Sequence, residues 1–320
     1  MNGLSPRRSN AWLMLVSLLL ILPWSAAASA RNPVYLVTDL GTLGGTQSFA
    51  YAINDNGQVV GLSRLAGDAD IHAFLYSKGK MTDLYPLNSQ DVVTVGPTSI
   101  NNAGQIASGV IFDGIYYPAI YNSKTGEIST LGSLGGVTSY GFNGVATSIN
   151  NIGQAAGYSY LDRNNRHAFL YNNGVISDIG SFGGYSFALA INDWGMIVGG
   201  SSDLYNGTSH AFLYTNGVMT DIDPSGDSDF SRSESYARGI NNQGQVVGEF
   251  LTADGTAFHA FLYSEGVFTD LGSVDSPESV AYAINDMDRW SGPPGFLIIL
   301  FVLIFTRGSI ILHHHTLFLF

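Results

Sequence analysis

The segment Ile191-Asn192-Asp193-Trp194-Gly195-Met196-Ile197-Val198-Gly199, followed by His210-Ala211-Phe212-Leu213-Tyr214-Thr215-Asn216-Gly217-Val218-Met219-Thr220-Asp221, spells out one β hairpin after another. Asn192 opens a turn that its own side chain can cap. Gly195, at the fourth position, accepts the left-handed backbone that closes a type I turn with a bulge. Ile191 and Met196 therefore flank a hairpin. Asn216-Gly217, between two runs of β-forming residues, is the strongest short hairpin signal. Upstream, Phe187-Ala188-Leu189-Ala190 alternates large and small side chains, which gives a first strand with one face that meets something close. The unit reads as four short strands with no helical period.

The same pattern recurs from Tyr35 to Asp286. Ile-Asn falls at Ile53-Asn54, Ile100-Asn101, Ile149-Asn150, Ile191-Asn192, Ile240-Asn241 and Ile284-Asn285, with spacings of 47, 49, 42, 49 and 44 residues. Gly follows at Gly57, Gly104, Gly153, Gly195 and Gly244. Second strands such as Gln58-Val59-Val60-Gly61 and Gln245-Val246-Val247-Gly248 come next, then third strands beginning at His72, His167, His210 and His259. The second unit has Tyr117-Pro118-Ala119-Ile120-Tyr121 in that place.

Four-stranded units of this length predict an all-β chain, a β-propeller of four-stranded blades. A β-solenoid is the structural alternative, but its repeats are usually shorter and need fewer internal turns. Five repeats are complete. Val280 to Asn285 starts a sixth as a first strand, and Val37-Thr38-Asp39-Leu40 resembles a fourth strand without its first three. The N-terminal strand is expected to close that incomplete sixth blade, as propellers commonly join their termini in one blade. Met287-Asp288 stands where x-Gly is expected, so the closing blade lacks two strands.

Composition agrees with a turn-rich β protein: 39 Gly, 12% aromatic and only 12% charged residues. The net charge of -12 argues against nucleic acid or anionic lipid as the main partner. It becomes -14 once Arg7 and Arg8 are lost with a leader, which leaves 11 basic against 25 acidic residues. With no Cys, there is neither a disulfide framework nor a thiolate site.

Residues 1–30 have the layout of a secretory signal: Arg7 and Arg8, an apolar stretch from Ala11 to Leu22, then Ala28-Ser29-Ala30, with cleavage expected after Ala30. The protein is thus expected to be secreted, extracellular or in the cell envelope. Residues 31–286 form the repeat domain, and 287–320 are an aberrant apolar tail. That tail runs from Phe296 to Phe305 without interruption and ends in His313-His314-His315 and Leu317 to Phe320. The preferred reading is a non-native, out-of-frame extension, because the break falls inside a repeat. The other is a C-terminal membrane anchor, although the run is shorter than a spanning helix needs. Membrane is a partner only on that second reading.

His-Ala-Phe, the Ile-Asn-x-x-Gly turn and Asp39-Leu40-Gly41-Thr42-Leu43-Gly44-Gly45 resemble the HAF-repeat family of extracellular repeat proteins. The resemblance covers roughly Tyr35 to Asp286. It implies export and a repeat fold, and implies no enzyme activity, ligand or catalytic residue.

His72 and Asp83, His167 and Asp178, His210 and Asp221, and His259 and Asp270 are each eleven residues apart. Both partners are lost together in the second unit, to Tyr117 and Thr130, which points to contact. A ring of metal-binding or general-base dyads is one reading. A hydrogen bond that braces each blade is the preferred one, since catalytic groups rarely come in one copy per repeat. No metal site and no cofactor are expected.

Function is expected on the face that carries the loops after second strands and between blades. Those loops supply Asp68, Asp70, Asp162, Asp203, Tyr205 and Asp254, with Tyr116 and Tyr160 beside them, and further Arg163, Arg166 and Tyr185. This mixture suits a non-catalytic binding or scaffold protein whose partner is an extracellular glycan or another surface protein. The alternative is a glycan hydrolase or lyase, which needs carboxylates or a His base converging on one cleft. No phosphate cradle, nucleophile elbow or zinc signature is present. The doubled glycines Gly44-Gly45, Gly135-Gly136 and Gly183-Gly184 read as turns between blades.

Overall fold

The computed structural model describes residues 38–84, 92–203, 208–224, 233–273 and 277–286. The expected leader, the tail and most of the N-terminal strand lie outside the described residues. The chain divides into two compact units, Met1–Asp39 and Leu40–Phe320. Of the first unit only residues 38 and 39 are described, without regular secondary structure. All five sheets belong to the second.

Each sheet has four antiparallel strands in chain order. Blade 1 comprises β1 (Gly44–Ile53), β2 (Val59–Leu65), β3 (Ile71–Ser77) and β4 (Lys80–Asp83). Blade 2 comprises β5 (Val92–Ile100), β6 (Gln105–Phe112), β7 (Ile115–Asn122) and β8 (Ile128–Thr130). Blade 3 comprises β9 (Gly144–Ile149), β10 (Ala155–Tyr160), β11 (Arg166–Asn172) and β12 (Val175–Asp178). Blade 4 comprises β13 (Ser186–Ile191), β14 (Ile197–Ser202), β15 (Ser209–Thr215) and β16 (Val218–Asp221). Blade 5 comprises β17 (Ser235–Ile240), β18 (Val246–Leu251), β19 (Phe258–Ser264) and β20 (Val267–Gly272). The first strands of successive blades neighbour one another, so β1, β5, β9, β13 and β17 form the inner row of a β-propeller.

Local chemistry sets each hairpin. In the β13–β14 turn, the Asn192 N–H donates to the Met196 carbonyl and the Gly195 N–H to the Asn192 carbonyl, both at 3.0 Å. In blades 1, 3, 4 and 5 the third-to-fourth-strand turn puts both central residues at positive φ, as at Asn173 (50°) and Gly174 (85°). Lys78 and Glu265 occupy the same left-handed position as Asn173 and Asn216.

The core lies between blades. Phe74, Phe169, Phe212 and Phe261 of the third strands are fully buried. Ala188, Ile191 and Phe212 of blade 4 form one cluster with Ala156, Ala168 and Ile179 of blade 3. The small face of each first strand is what lets two sheets approach this closely. The glycine of each second strand answers a bulge in the first: Gly199 pairs with Ala188 beside the Ala188/Ala190 irregularity. A Cβ there would lie 2.0 Å from the Phe187 carbonyl oxygen.

Blades are also joined by a hydrogen-bonded row of turns. Asn54, Asn101, Asn150 and Asn192 each donate Nδ2–H to the backbone carbonyl of the next Asn in the series, all at 2.9 Å, and Asn241 continues to Asn285 at 3.2 Å. Alongside, the N–H of Asp55, Asn102, Asn151, Asp193 and Asn242 each donates to the side-chain oxygen of the next such residue, ending at Asp286. On the other rim, Oγ of Ser186, Ser235 and Ser279 accepts the Ala168, Ala211 and Ala260 N–H of the preceding blade.

The expected first strand at Val280 to Asn285 is not formed. Only Ala281 makes a bridge, and its N–H donates to the Gly248 carbonyl at 3.3 Å. A strand persists by pairing, and the second strand that would pair with it does not follow in the described residues. Its turn nevertheless takes its place as the last member of the row.

Candidate functional site

The loop-bearing rim carries an open cleft of about 640 Å³ between blades 3 and 4. It is lined by Asp162, Arg163, Asn164 and Asn165 from the β10–β11 loop, Gly183, Gly184 and Tyr185 from the inter-blade segment, Ser202 at the end of β14 and Asp203 after it. Backbone geometry builds this wall. Gly183 has φ +123°, and at Gly184 a Cβ would lie 2.2 Å from the Asp203 carbonyl oxygen. The doubled glycine thus lets the inter-blade segment lie against blade 4, fixed by the Gly184 N–H on the Ser202 carbonyl at 2.9 Å.

Asp162 is committed to its own loop. Its Oδ1 accepts the N–H groups of Asn164 at 2.8 Å and Asn165 at 2.9 Å. These backbone donors hold its carboxyl below the usual range. Such a group stays ionised near neutrality and serves as an acceptor.

Behind the cleft is an aromatic cluster. The Arg166 guanidinium lies 4.8 Å from the Tyr158 ring centre, 5.5 Å from Tyr185 and 5.6 Å from Phe187. Tyr185 and Phe187 stack at 6.3 Å. Phe142 joins Tyr116 at 4.4 Å to Tyr160 at 6.0 Å. Burial, then the neighbouring Tyr158, pushes the Tyr116 hydroxyl up to about 12. Burial raises Tyr158 despite Arg166. These phenols are therefore neutral hydrogen-bonding and stacking groups.

The loop residues singled out in the sequence are dispersed. Asp162 and Asp203 share the cleft, whereas Tyr116 and Tyr160 belong to the cluster behind it. Asp68 in blade 1 accepts the Thr46 N–H and hydroxyl, both at 2.8 Å, and these bonds lower its pKa. Asp254 in blade 5 accepts the Thr252 hydroxyl at 2.6 Å and the Thr256 hydroxyl at 2.9 Å, with the same consequence. Asp70 is exposed in the β2–β3 loop. Tyr205 lies outside the described residues. Asn164, Asn165 and Ser202 line the cleft without having been singled out. The run Asp162-Arg163-Asn164-Asn165 is itself an Asx-turn signal that marks them.

Each His-Asp pair is in contact within its blade. Nδ1 of His72 and His210 lies 2.8 Å from the partner carboxylate, that of His167 2.9 Å, and that of His259 3.1 Å. Serine is a third member not foreseen: Ser181 Oγ is 3.2 Å from His167 Nε2, and Ser233 Oγ is 2.6 Å from His210 Nε2. The repeated Asp-Leu/Ile-Gly-Ser/Thr, as in Asp178 to Ser181, is a signal for the first of these. His210 is fully buried. Burial opposes its charge, but the hydrogen bond it donates to Asp221 and the charges of Asp223, Asp221 and Asp203 outweigh this, so its pKa is raised. This Ser-His-Asp chain ties β15 and the end of β16 to the segment before β17. No group of three or more His, Asp or Glu positioned to hold a metal ion occurs among the described residues.

A protein family of unknown function, DUF3466, matches residues 142–271. No curated protein matches the sequence. Among solved structures, TolB from Acinetobacter baumannii aligns over 70% of this chain and 56% of its own at 13% identity, with a TM-score of 0.47. An acylaminoacyl peptidase aligns over 76% and 41% at 10% identity, with a TM-score of 0.46. The β-propeller domain of the Trilobed protease from Pyrococcus furiosus aligns over 69% and 65% at 11% identity, with a TM-score of 0.43. The chain thus spans less than two thirds of each of these structures. The propeller assignment rests on the strand order and inner row described above.

Proposed function

We propose that this chain is an exported, extracellular or cell-envelope binding protein of the HAF-repeat type, and that the cleft between blades 3 and 4 holds a glycan. The observation that carries the reading is the wall of that cleft. Carboxylates, amides and a serine offer hydrogen bonds to hydroxyl groups, and Tyr185 offers a ring face for the apolar side of a sugar. Arg166 and Ser209, whose hydroxyl donates to the Tyr185 hydroxyl at 3.3 Å, hold that ring in place. The net charge of -12 disfavours polyanionic glycans and leaves neutral or cationic ones.

A binding role fits better than hydrolysis. A glycosidase needs one carboxyl group kept protonated to donate to the leaving oxygen. Asp162 is held in the opposite condition, with its Oδ1 engaged by backbone N–H groups.

The test is titration of the purified chain with glycans selected from an array, for the wild type, Tyr185→Ala and Asp203→Asn. Saturable binding that falls about tenfold or more in Tyr185→Ala, with an unchanged melting temperature, is expected. Cleavage of a bound glycan that is lost in Asp203→Asn would replace this reading with an enzyme.

A further inference from the structure

Asparagine followed by glycine is a pair in which the backbone can modify itself, because the glycine nitrogen, with no Cβ beside it, reaches the side-chain amide carbon of the preceding residue. Among the described residues four such pairs occur: Asn56-Gly57, Asn143-Gly144, Asn173-Gly174 and Asn216-Gly217. The fold separates them into two classes.

Two pairs are held at both reacting groups. Asn143 is 4% exposed, its Nδ2–H donates to the Gly136 carbonyl at 2.7 Å and its Oδ1 accepts the Ser159 hydroxyl at 3.0 Å. Gly144 is already part of β9, opposite Ser159. Asn56 is exposed, but its Nδ2–H donates to the Asn102 carbonyl at 2.9 Å, and the Gly57 N–H donates to the Asn54 carbonyl at 3.0 Å. These bonds must break before either pair can react.

Asn173 and Asn216 differ at each of these points. They are exposed at the tips of the β11–β12 and β15–β16 hairpins, with φ of 50° and 52°. Neither their side-chain amides nor the N–H groups of Gly174 and Gly217 hydrogen-bond to any described residue. Apart from adjoining residues, no heavy atom lies within 4 Å of where a Cβ would stand on Gly174 or Gly217, so the attacking nitrogen is open to approach. The left-handed position that favours Asn in these turns thus also presents its amide; Lys78 and Glu265, in the same place in blades 1 and 5, carry none.

We propose that Asn173 and Asn216 are sites of spontaneous deamidation and isoaspartate formation, in preference to Asn56 and Asn143. The glycine nitrogen bonds to Cγ, the Cγ–Nδ2 bond breaks, and ammonia leaves with the proton given up by the glycine N–H. Water then opens the cyclic imide. Attack at Cγ gives aspartate, and attack at the backbone carbonyl gives isoaspartate, with the chain routed through Cβ. Each event adds one negative charge, and isoaspartate also lengthens the backbone inside a tight turn. The hairpins affected are those that carry the His167–Asp178 and His210–Asp221 pairs.

The test is incubation of the full chain at mildly alkaline pH, folded and in urea, with peptide mapping by mass spectrometry for the mass gain of amide-to-acid conversion. Isoaspartate is identified by its labelling with an isoaspartyl methyltransferase. In the folded chain Asn173 and Asn216 should convert about tenfold or more faster than Asn56 and Asn143, the factor that breaking a net hydrogen bond puts on a rate. In urea the four rates should converge, since all four pairs then have the same neighbours. Conversion of Asn56 or Asn143 at an equal or greater rate in the folded chain would overturn the proposal. So would a spread of rates that persists in urea, or folded Asn173 and Asn216 that stay intact while the unfolded chain reacts.

Discussion

The Asn54 side chain donates Nδ2–H to the carbonyl of Asn101, 47 residues further on, at 2.9 Å, while its Oδ1 accepts the N–H of Asn56 and of Gln58 in its own turn. One short polar side chain therefore closes a hairpin and fastens it to the next blade. The arrangement is repeated at Asn101, Asn150 and Asn241, so the row is a cooperative element in which each turn presents the carbonyl that the previous one needs.

Removing one rung should be costly. Asn150 is 4% exposed and its amide group bonds to Gln154 and to the Asn192 carbonyl. Asn150→Ala should lower stability by about 3 kcal/mol, since it breaks a turn cap and leaves a buried carbonyl short of a donor. The exposed neighbour Asn151→Ala should cost about 1 kcal/mol, and urea unfolding of the two variants makes the comparison.

Two glycines of different kinds separate steric closeness from backbone conformation. Gly199→Ala would set a Cβ 2.0 Å from the Phe187 carbonyl oxygen and should cost about 3 kcal/mol. At Gly217 nothing lies within 4 Å, and only φ +83° opposes a side chain, so Gly217→Ala should cost about 1 kcal/mol. Thermal melts of both variants check the order.

A gain is expected where the left-handed turn position holds a residue poorly suited to it. Glu265 sits at φ 53°, the place taken by Asn173 and Asn216 in sister blades. Glu265→Asn should raise stability by about 0.5–1 kcal/mol, read as a higher urea midpoint at unchanged slope.

The buried His210 makes stability depend on pH. Its folded-state pKa is raised above the ordinary 6.5, so its charge contributes fully below that value and the contribution is lost as pH rises through the folded pKa. The destabilisation caused by His210→Gln should therefore be larger at pH 6 than at pH 9. Glycan binding in the cleft should survive the substitution, because the imidazole braces loops and does not line the cleft. Melting curves across this range for both proteins test the first point, and titration with glycan the second.

Features that depend on neighbours along the chain were legible in the residues alone. Asn192 to Gly195, Asn173-Gly174 and the alternation at Ala188 and Ala190 specify hairpins and strand faces through backbone sterics and local hydrogen bonds. The eleven-residue spacing of His210 and Asp221 places the pair across one such hairpin. Features built from groups of different blades were not legible in that way. Gathering Asp162, Tyr185 and Asp203 into one cleft depends on how the Gly183-Gly184 segment lies against blade 4, which residue type alone does not encode. The donation from Asn54 to Asn101 and the closing of Ser233 onto His210 likewise join positions 47 and 23 residues apart. Strand pairing is set by side-chain alternation and turn chemistry. Blade-to-blade contact is set by packing of surfaces that exist only once the sheets have formed.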